Sequence, residues 1–216
     1  MNKFLDLIKK TLQGKSIGRI LMNWQIFEYC KDLGGAMIDL GAGRNPSYYR
    51  YWKINPSRFI RVDIDERTKP DIVADLNEPL PFDNNFADVV FLFNVIYIVR
   101  RPEELVKETF RILKNNGKLF IYSPFVFNES REPEDNFRFT SQGIENLLKV
   151  AGFKEYQIIP VGERFTVALN LAEKIIIFNI LKIPFRILAL FLDKIYPKKL
   201  KKLHPCPIGY FIEAIE

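Results

Sequence analysis

The sequence predicts an α/β fold: a doubly wound, mostly parallel sheet with an added C-terminal helical segment. Three observations carry that prediction. Strand-like and helix-like patterns alternate over residues 37–160, as βαβ units require. The run from Ala87 to Phe93 is apolar throughout after Asp88, which suits a central strand covered on both faces. A third run, Met37-Ile38-Asp39-Leu40, breaks into Gly41-Ala42-Gly43, a buried strand ending in a tight turn that a ligand can approach.

Residues 1 to about 13 pattern as a short basic amphipathic helix, and Gly14 to Gly18 break the chain before a second helix through Leu21, Trp24, Ile26 and Phe27. Gly34-Gly35 are expected to end that helix. A first strand over 36–40 leads into the glycine turn, and Ser47 opens a helix or irregular turn holding Tyr48, Tyr49, Tyr51 and Trp52. Those aromatics suit either a pocket wall or packing on the sheet. Alternation over 59–64 predicts a second strand with Asp63 at its end, and Asp65 replaces it if the register slips. Asp71 to Leu76 reads as a third strand delivering Asp75 to the same edge.

After a turn-rich link at 79–85 and the strand 87–93, Pro102-Glu103-Glu104 opens a helix whose apolar face is Val106, Phe110 and Leu113. Asn115-Asn116-Gly117 is expected to stop it in a left-handed turn, before a strand at 118–122. Thr140 caps a helix that Gly152 ends. The region 164–204 departs from the alternation: Asn179, Lys182, Arg186 and Asp193 form one narrow polar stripe on an otherwise apolar helix. Pro184 should kink or split it. Pro207 to Ile215 supplies a last strand. The expected organisation is therefore amphipathic helices over 1–35, a core over 36–163, a helical insertion over 164–204 and a closing strand over 205–216.

The net charge of +6 is unevenly spread. Residues 1–19 hold five basic groups and one acid, and 164–204 hold nine and two, so the remainder is acidic. Two basic flanks on an acidic body point to an anionic partner, whether membrane, nucleic acid or phosphorylated substrate, although solvated lysines give the same count. Cys30 and Cys206 provide no metal spacing and no disulfide framework, so a reducing, cytoplasmic setting is expected, extending to the inner membrane surface if the flanks touch lipid. Charges interrupt the apolar segment 165–195, so no transmembrane helix is expected. An interfacial membrane element, a homodimer contact and a lid all fit that segment.

Asp63 follows Gly41 by 22 residues, the span of a turn, a helix and a returning strand whose terminal acid can accept from ribose hydroxyls. A nucleoside cofactor fits this spacing, and so does an ordinary tight turn. A dinucleotide fits less well, because the position of the third fingerprint glycine is Pro46, which has no N–H for a pyrophosphate.

Ile38-Asp39-Leu40-Gly41-Ala42-Gly43 resembles the first motif of class I S-adenosylmethionine-dependent methyltransferases, a Rossmann-like family. Leu80 to Val90 resembles that family's approach to its fourth strand, and Arg111 to Leu119 its link into the fifth. The resemblance covers about residues 36–160. It implies S-adenosylmethionine as cofactor, with Asp39, Gly41 and Gly43 at the methionine end and Asp63 with Ile64 at the ribose. Asp75 and Leu76 would flank the adenine, and Asn94 would follow the fourth strand beside the cofactor. Asn45 stands where many members have a third glycine, and Ile98 where many have histidine.

Glu134 to Thr140, with Pro207 to Phe211, is similar to a subgroup associated with cell-surface glycan synthesis. The implied reaction is methyl transfer to a small-molecule or lipid-linked, glycan-type acceptor. No catalytic base is assigned; Tyr97, Asp135 and Arg138 are the acceptor-side residues to examine, and the lone histidine, His204, lies in the basic tail. Two rival readings are a cofactor-binding module without catalysis and a nucleic-acid methyltransferase. Against the latter, Asn94-Val95-Ile96-Tyr97 is not the Asn-Pro-Pro-Tyr kind of tetrapeptide.

Overall fold

A computed structural model describes residues 1–44, 46–130 and 133–216. Helices α1 (Lys3–Leu12) and α2 (Ile17–Tyr29) lead into β1 (Lys31–Leu40), a 3-10 turn at Ser47–Tyr51 and β2 (Lys53–Asp63). A second 3-10 turn, Glu66–Thr68, precedes β3 (Ile72–Val73) and β4 (Ala87–Phe93). Next come α3 (Pro102–Ile112), β5 (Leu113–Pro124), α4 (Ser141–Ala151) and β6 (Glu155–Val161). Three helices, α5 (Arg164–Ala172), α6 (Asn179–Ile195) and α7 (Lys198–Leu203), precede β7 (Gly209–Ile215).

The seven strands form one sheet in the order β3-β2-β1-β4-β5-β7-β6. Strands β1 to β5 pair in parallel, and β7 inserts antiparallel between β5 and β6. The alternation of side chains along each strand divides the core in two. Ile38, Val90, Leu92, Leu119, Ile121 and Ile212 pack on one face with α3 and α4. Met37, Phe91, Phe93, Phe120 and Phe211 pack on the other with α1, α2 and the Ser47–Tyr51 turn. Strand order reverses between β1 and β4, and the carboxyl ends at such a reversal border the crevice where open α/β sheets bind ligands.

Five sequence expectations change. Gly34-Gly35 do not end a helix: α2 stops at Cys30, and both glycines lie inside β1. Gly35 has φ +84°, and a Cβ there would overlap the Asp88 carboxylate. The glycines thus admit Asp88 to accept from Ala36 N at 2.7 Å and to pair with Lys114 at 2.7 Å. Asn115 to Gly117 do not end α3 either. The helix gives way directly to extended backbone at Leu113, a buried residue paired with Ala87, and positive φ falls on Asn116 within β5.

The third strand is only Ile72–Val73, because Asp75 Oδ1 accepts from Asn77 N and Nδ2 and turns the chain away. In place of a helix between β1 and β2 stands the Ser47–Tyr51 turn. Finally, Pro184 does not split α6, which continues through it, and the interruption falls at residues 173–178 between α5 and α6.

Candidate functional site

The turn after β1 is tied to β2, with Gly41 N and Ala42 N donating to Val62 O at 2.8 and 3.2 Å. Gly41 has φ +69° and Gly43 φ +62°, both in the left-handed region. A Cβ on Gly41 would come within 2.6 Å of Val95 Cγ2, whereas one on Gly43 would meet nothing within 4 Å. The second glycine therefore leaves backbone open to whatever occupies the crevice. Asn45 lies outside the described residues.

Asp63 is the acid joined to this turn. Its Oδ2 accepts from Gly43 N at 2.7 Å and its Oδ1 from Asp65 N at 2.9 Å. Asp65 instead pairs with Arg67 and caps the short turn at Glu66–Thr68. A cavity of about 290 Å³ is lined by Gly41, Asp63, Ile64, Asp75, Leu76, Asn77, Val95, Ile98, Val99, Pro133 and Glu134. Carboxylates at its rim and aliphatic side chains in its wall suit a flat, partly apolar ligand carrying hydroxyl and amino donors.

A second cavity, of about 380 Å³, meets the first at Gly41 and is lined by Lys15, Arg19, Gly41 to Arg44, Pro46, Ser47, Tyr48, Phe93 and Asn94. Asn94, at the end of β4, has φ +61° and its Nδ2 faces Met22 Sδ at 3.4 Å. Among the described residues, the side chains of Lys15, Arg19 and Arg44 have no carboxylate partner. Among the described residues, no carboxylate and no imidazole lines this cavity.

Asp39 lies in β1 behind the turn, fully buried. Its Oδ2 accepts from Tyr48 Oη at 2.9 Å and Tyr49 Oη at 2.8 Å, while Oδ1 has no partner among the described residues. Burial pushes its pKa up to about 7, against the lowering pull of the two tyrosine hydroxyls. The same burial, with Asp39 beside it, raises Tyr48 well above the ordinary phenol range.

The structure places Asp39, Gly41, Gly43, Asp63, Ile64, Asp75, Leu76 and Asn94 together at the carboxyl edge of the sheet. Tyr97, Asp135 and Arg138 also meet one another, but as a brace. Arg138 forms an ion pair with Asp135 and lies 5.4 Å over the Tyr97 ring. Ser130 N donates to Asp135 at 2.8 Å, and Asn136 N and Phe137 N donate to Tyr97 O. The Arg138 guanidinium holds the Asp135 carboxyl below its ordinary range. Pairing with Arg100 and Asn136 pushes Glu134, at the rim of the first cavity, down to about 2.

Sequence reasoning missed Lys15, Arg19, Arg44 and the hydroxyls of Tyr48 and Tyr49 as site residues. The aromatic run at 48–52 was visible, but its contact with Asp39 depends on the tight Ser47–Tyr51 turn.

Residues 38–121 match the family described as a methyltransferase domain. Over those residues the chain is similar to a methyltransferase domain. Its fold is that of a S-adenosylmethionine-dependent methyltransferase from Archaeoglobus fulgidus, with TM-score 0.59 and 17% identity over 92% of this chain and 94% of that one. The cyclase SpnF is similar at TM-score 0.56 and 16% identity over 91% and 81% of the two chains. A phosphoethanolamine N-methyltransferase of Haemonchus contortus, solved with phosphomonomethylethanolamine and S-adenosylhomocysteine, matches at TM-score 0.57 and 18% identity over 90% of this chain and 52% of that one. A search among curated proteins found no match.

Proposed function

We propose that this methyltransferase uses S-adenosylmethionine and delivers the methyl group to a small or lipid-linked acceptor that carries its own negative charge. The observation that carries the reading is a pair of cavities that share Gly41, one walled by Asp63, Asp75 and Leu76, the other by Lys15, Arg19 and Arg44 with no carboxylate among its described lining residues. The residues present fit the cofactor: the Gly43 backbone is open, Asp63 is fixed by two N–H groups, and buried Asp39 Oδ1 lacks a partner. When bound, S-adenosylmethionine supplies a methyl group activated on a positively charged sulfur.

The protein's part is to bind and orient. Asp63, with Ile64, holds the ribose side, and Asp75 and Leu76 border the adenine. Asp39 braces the turn from behind through the hydroxyls of Tyr48 and Tyr49, and its unpartnered Oδ1 is left for the methionine end. Asn94 and Tyr48 set the wall across which donor and acceptor meet. Because no carboxylate and no imidazole lines the cationic cavity among the described residues, an acceptor whose attacking atom needs no deprotonation suits it, and positioning then supplies most of the rate gain. Lys15, Arg19 and Arg44 would neutralise a phosphate or carboxylate on that acceptor. The phosphorylated ligand of the Haemonchus contortus neighbour accords with this class of acceptor. A glycan-type acceptor rests on the resemblance at 134–140 and 207–211 alone.

The test is labelled methyl transfer to a panel of phosphorylated, carboxylated and neutral acceptors. The proposal expects turnover confined to anionic acceptors, with Arg19→Ala raising KM about tenfold, the loss of one charge-assisted contact. Turnover of neutral acceptors only, unaffected by Arg19→Ala, would refute it.

A further inference from the structure

Helix α6 is amphipathic with its polar side turned inward. Arg186 is 1% exposed and Asp193 8% exposed, with Ala189 buried between them on the same face. Arg186 forms an ion pair with Glu173 at 2.6 Å and donates to Thr11 Oγ1 of α1 at 2.7 Å. Asp193 accepts from Phe165 N at 2.9 Å and Thr166 N at 3.0 Å, satisfying the first turn of α5. The polar stripe legible in the sequence is therefore the docking face of α6 on the body.

The opposite half of the helix is apolar and solvent-facing. Leu181, Leu188 and Ile195 recur at seven-residue spacing with Phe185 and Phe191 beside them, and all are exposed. The preceding segment adds Ile175, Ile177 and Phe178, of which Ile177 is 85% exposed. Roughly half of each of some eight large side chains amounts to an area on the order of 800 Å², above the ~300–600 Å² of the largest patch on an ordinary monomer. No helix among the described residues is long and apolar enough to cross a membrane.

Charge identifies what covers this face. The only acids in 164–204, Glu173 and Asp193, are buried and engaged. Lys174 before α6, Lys194 within it, and Lys198, Lys199 and Lys202 of α7 have no carboxylate partner among the described residues. A second copy packed on the same face would set lysine against lysine with no acid to answer it. A sheet of anionic headgroups over hydrocarbon answers both the lysines and the leucines.

We propose that the outward face of α6, with the 175–178 segment and the α7 lysines, seats in an anionic lipid leaflet. The seat lies near the site. The α1–α2 link lines the cationic cavity through Lys15, and through Gly14 and Ser16 it lines a separate cleft with Lys174 and Lys182. A lipid-borne acceptor would thus meet the site close to the membrane plane. The lipid-borne acceptor rests on the proposed function, whereas the seat itself does not.

Flotation of the full chain with phosphatidylcholine vesicles, with and without phosphatidylglycerol, tests the seat. Binding should be confined to the anionic vesicles and fall with salt. Leu188→Glu/Phe191→Glu and Lys198→Glu/Lys199→Glu/Lys202→Glu should each weaken it about tenfold or more, with the wild-type unfolding midpoint retained because these side chains are exposed. Equal binding to neutral vesicles, no binding to either, or a dimer in solution that Leu188→Glu/Phe191→Glu dissolves would each overturn the proposal. Calorimetry with S-adenosylmethionine reads the proposed function separately, so the two failures are distinguishable.

Discussion

Asp39 gives the sharpest prediction, because a carboxyl with no exposure at all and a pKa near 7 couples stability to pH in an unusual direction. In the unfolded chain the group ionises near 4, so between about pH 4 and 7 the folded protein holds a proton that the unfolded chain has released. Stability must then fall as pH rises across that window, opposite to the behaviour of a salt-bridged acid. The ideal linkage expression, with an unfolded value of 3.8 and a folded value of about 7, gives a loss of roughly 2–3 kcal/mol between pH 5 and pH 8. Asp39→Asn removes the titration while still accepting from Tyr48 and Tyr49, at a roughly pH-independent cost of about 1–3 kcal/mol for its unpaired amide. Urea unfolding of both proteins at pH 5, 6, 7 and 8 isolates the effect, since other titrating groups cancel in the difference. The wild type should lose its advantage over Asp39→Asn as pH rises. Parallel pH profiles would refute the assignment of a protonated, buried Asp39.

Other substitutions test separate parts of the structure. Gly41→Ala meets both a left-handed backbone and Val95, so it should cost about 2–4 kcal/mol in urea unfolding, against about 1 kcal/mol for Gly43→Ala, where the Cβ finds open space. Glu173→Gln leaves the buried Arg186 guanidinium without its counter-charge and should cost about 3–5 kcal/mol, and the double variant Glu173→Gln/Arg186→Met should recover most of that. Thr140→Ala removes the hydroxyl that accepts from Gly143 N at 3.1 Å and should lower the thermal midpoint by the equivalent of about 1 kcal/mol.

The sheet was legible because its strands obey short-range rules: Ala87 to Phe93 is apolar on both faces, and the Thr140 and Gly152 caps fix α4 at both ends. What misled was chemistry at a distance. Gly34-Gly35 resemble a helix stop but make room for the Asp88 carboxylate, which comes from another strand. The Asn115 to Gly117 run resembles a cap, but Leu113 is drawn into the sheet by its pairing with Ala87. The glycine turn and Asp63 could be read from spacing alone. The cationic cavity could not, since only the packed position of α2 brings Arg19 to the edge of β1 and β4. The polar stripe of α6 was visible, but its direction was not: a stripe of four polar residues gives no sign of facing inward until Glu173 and Thr11 are found opposite Arg186.

The most direct test of the central claim is calorimetric titration of the wild-type chain and of Asp63→Asn with S-adenosylmethionine. The structure predicts one saturable site in the wild type and an affinity about 10- to 100-fold lower in Asp63→Asn, the equivalent of about 1.4–2.7 kcal/mol for one charged hydrogen-bonding group. No heat at millimolar cofactor, or equal affinities for the two proteins, would contradict the account.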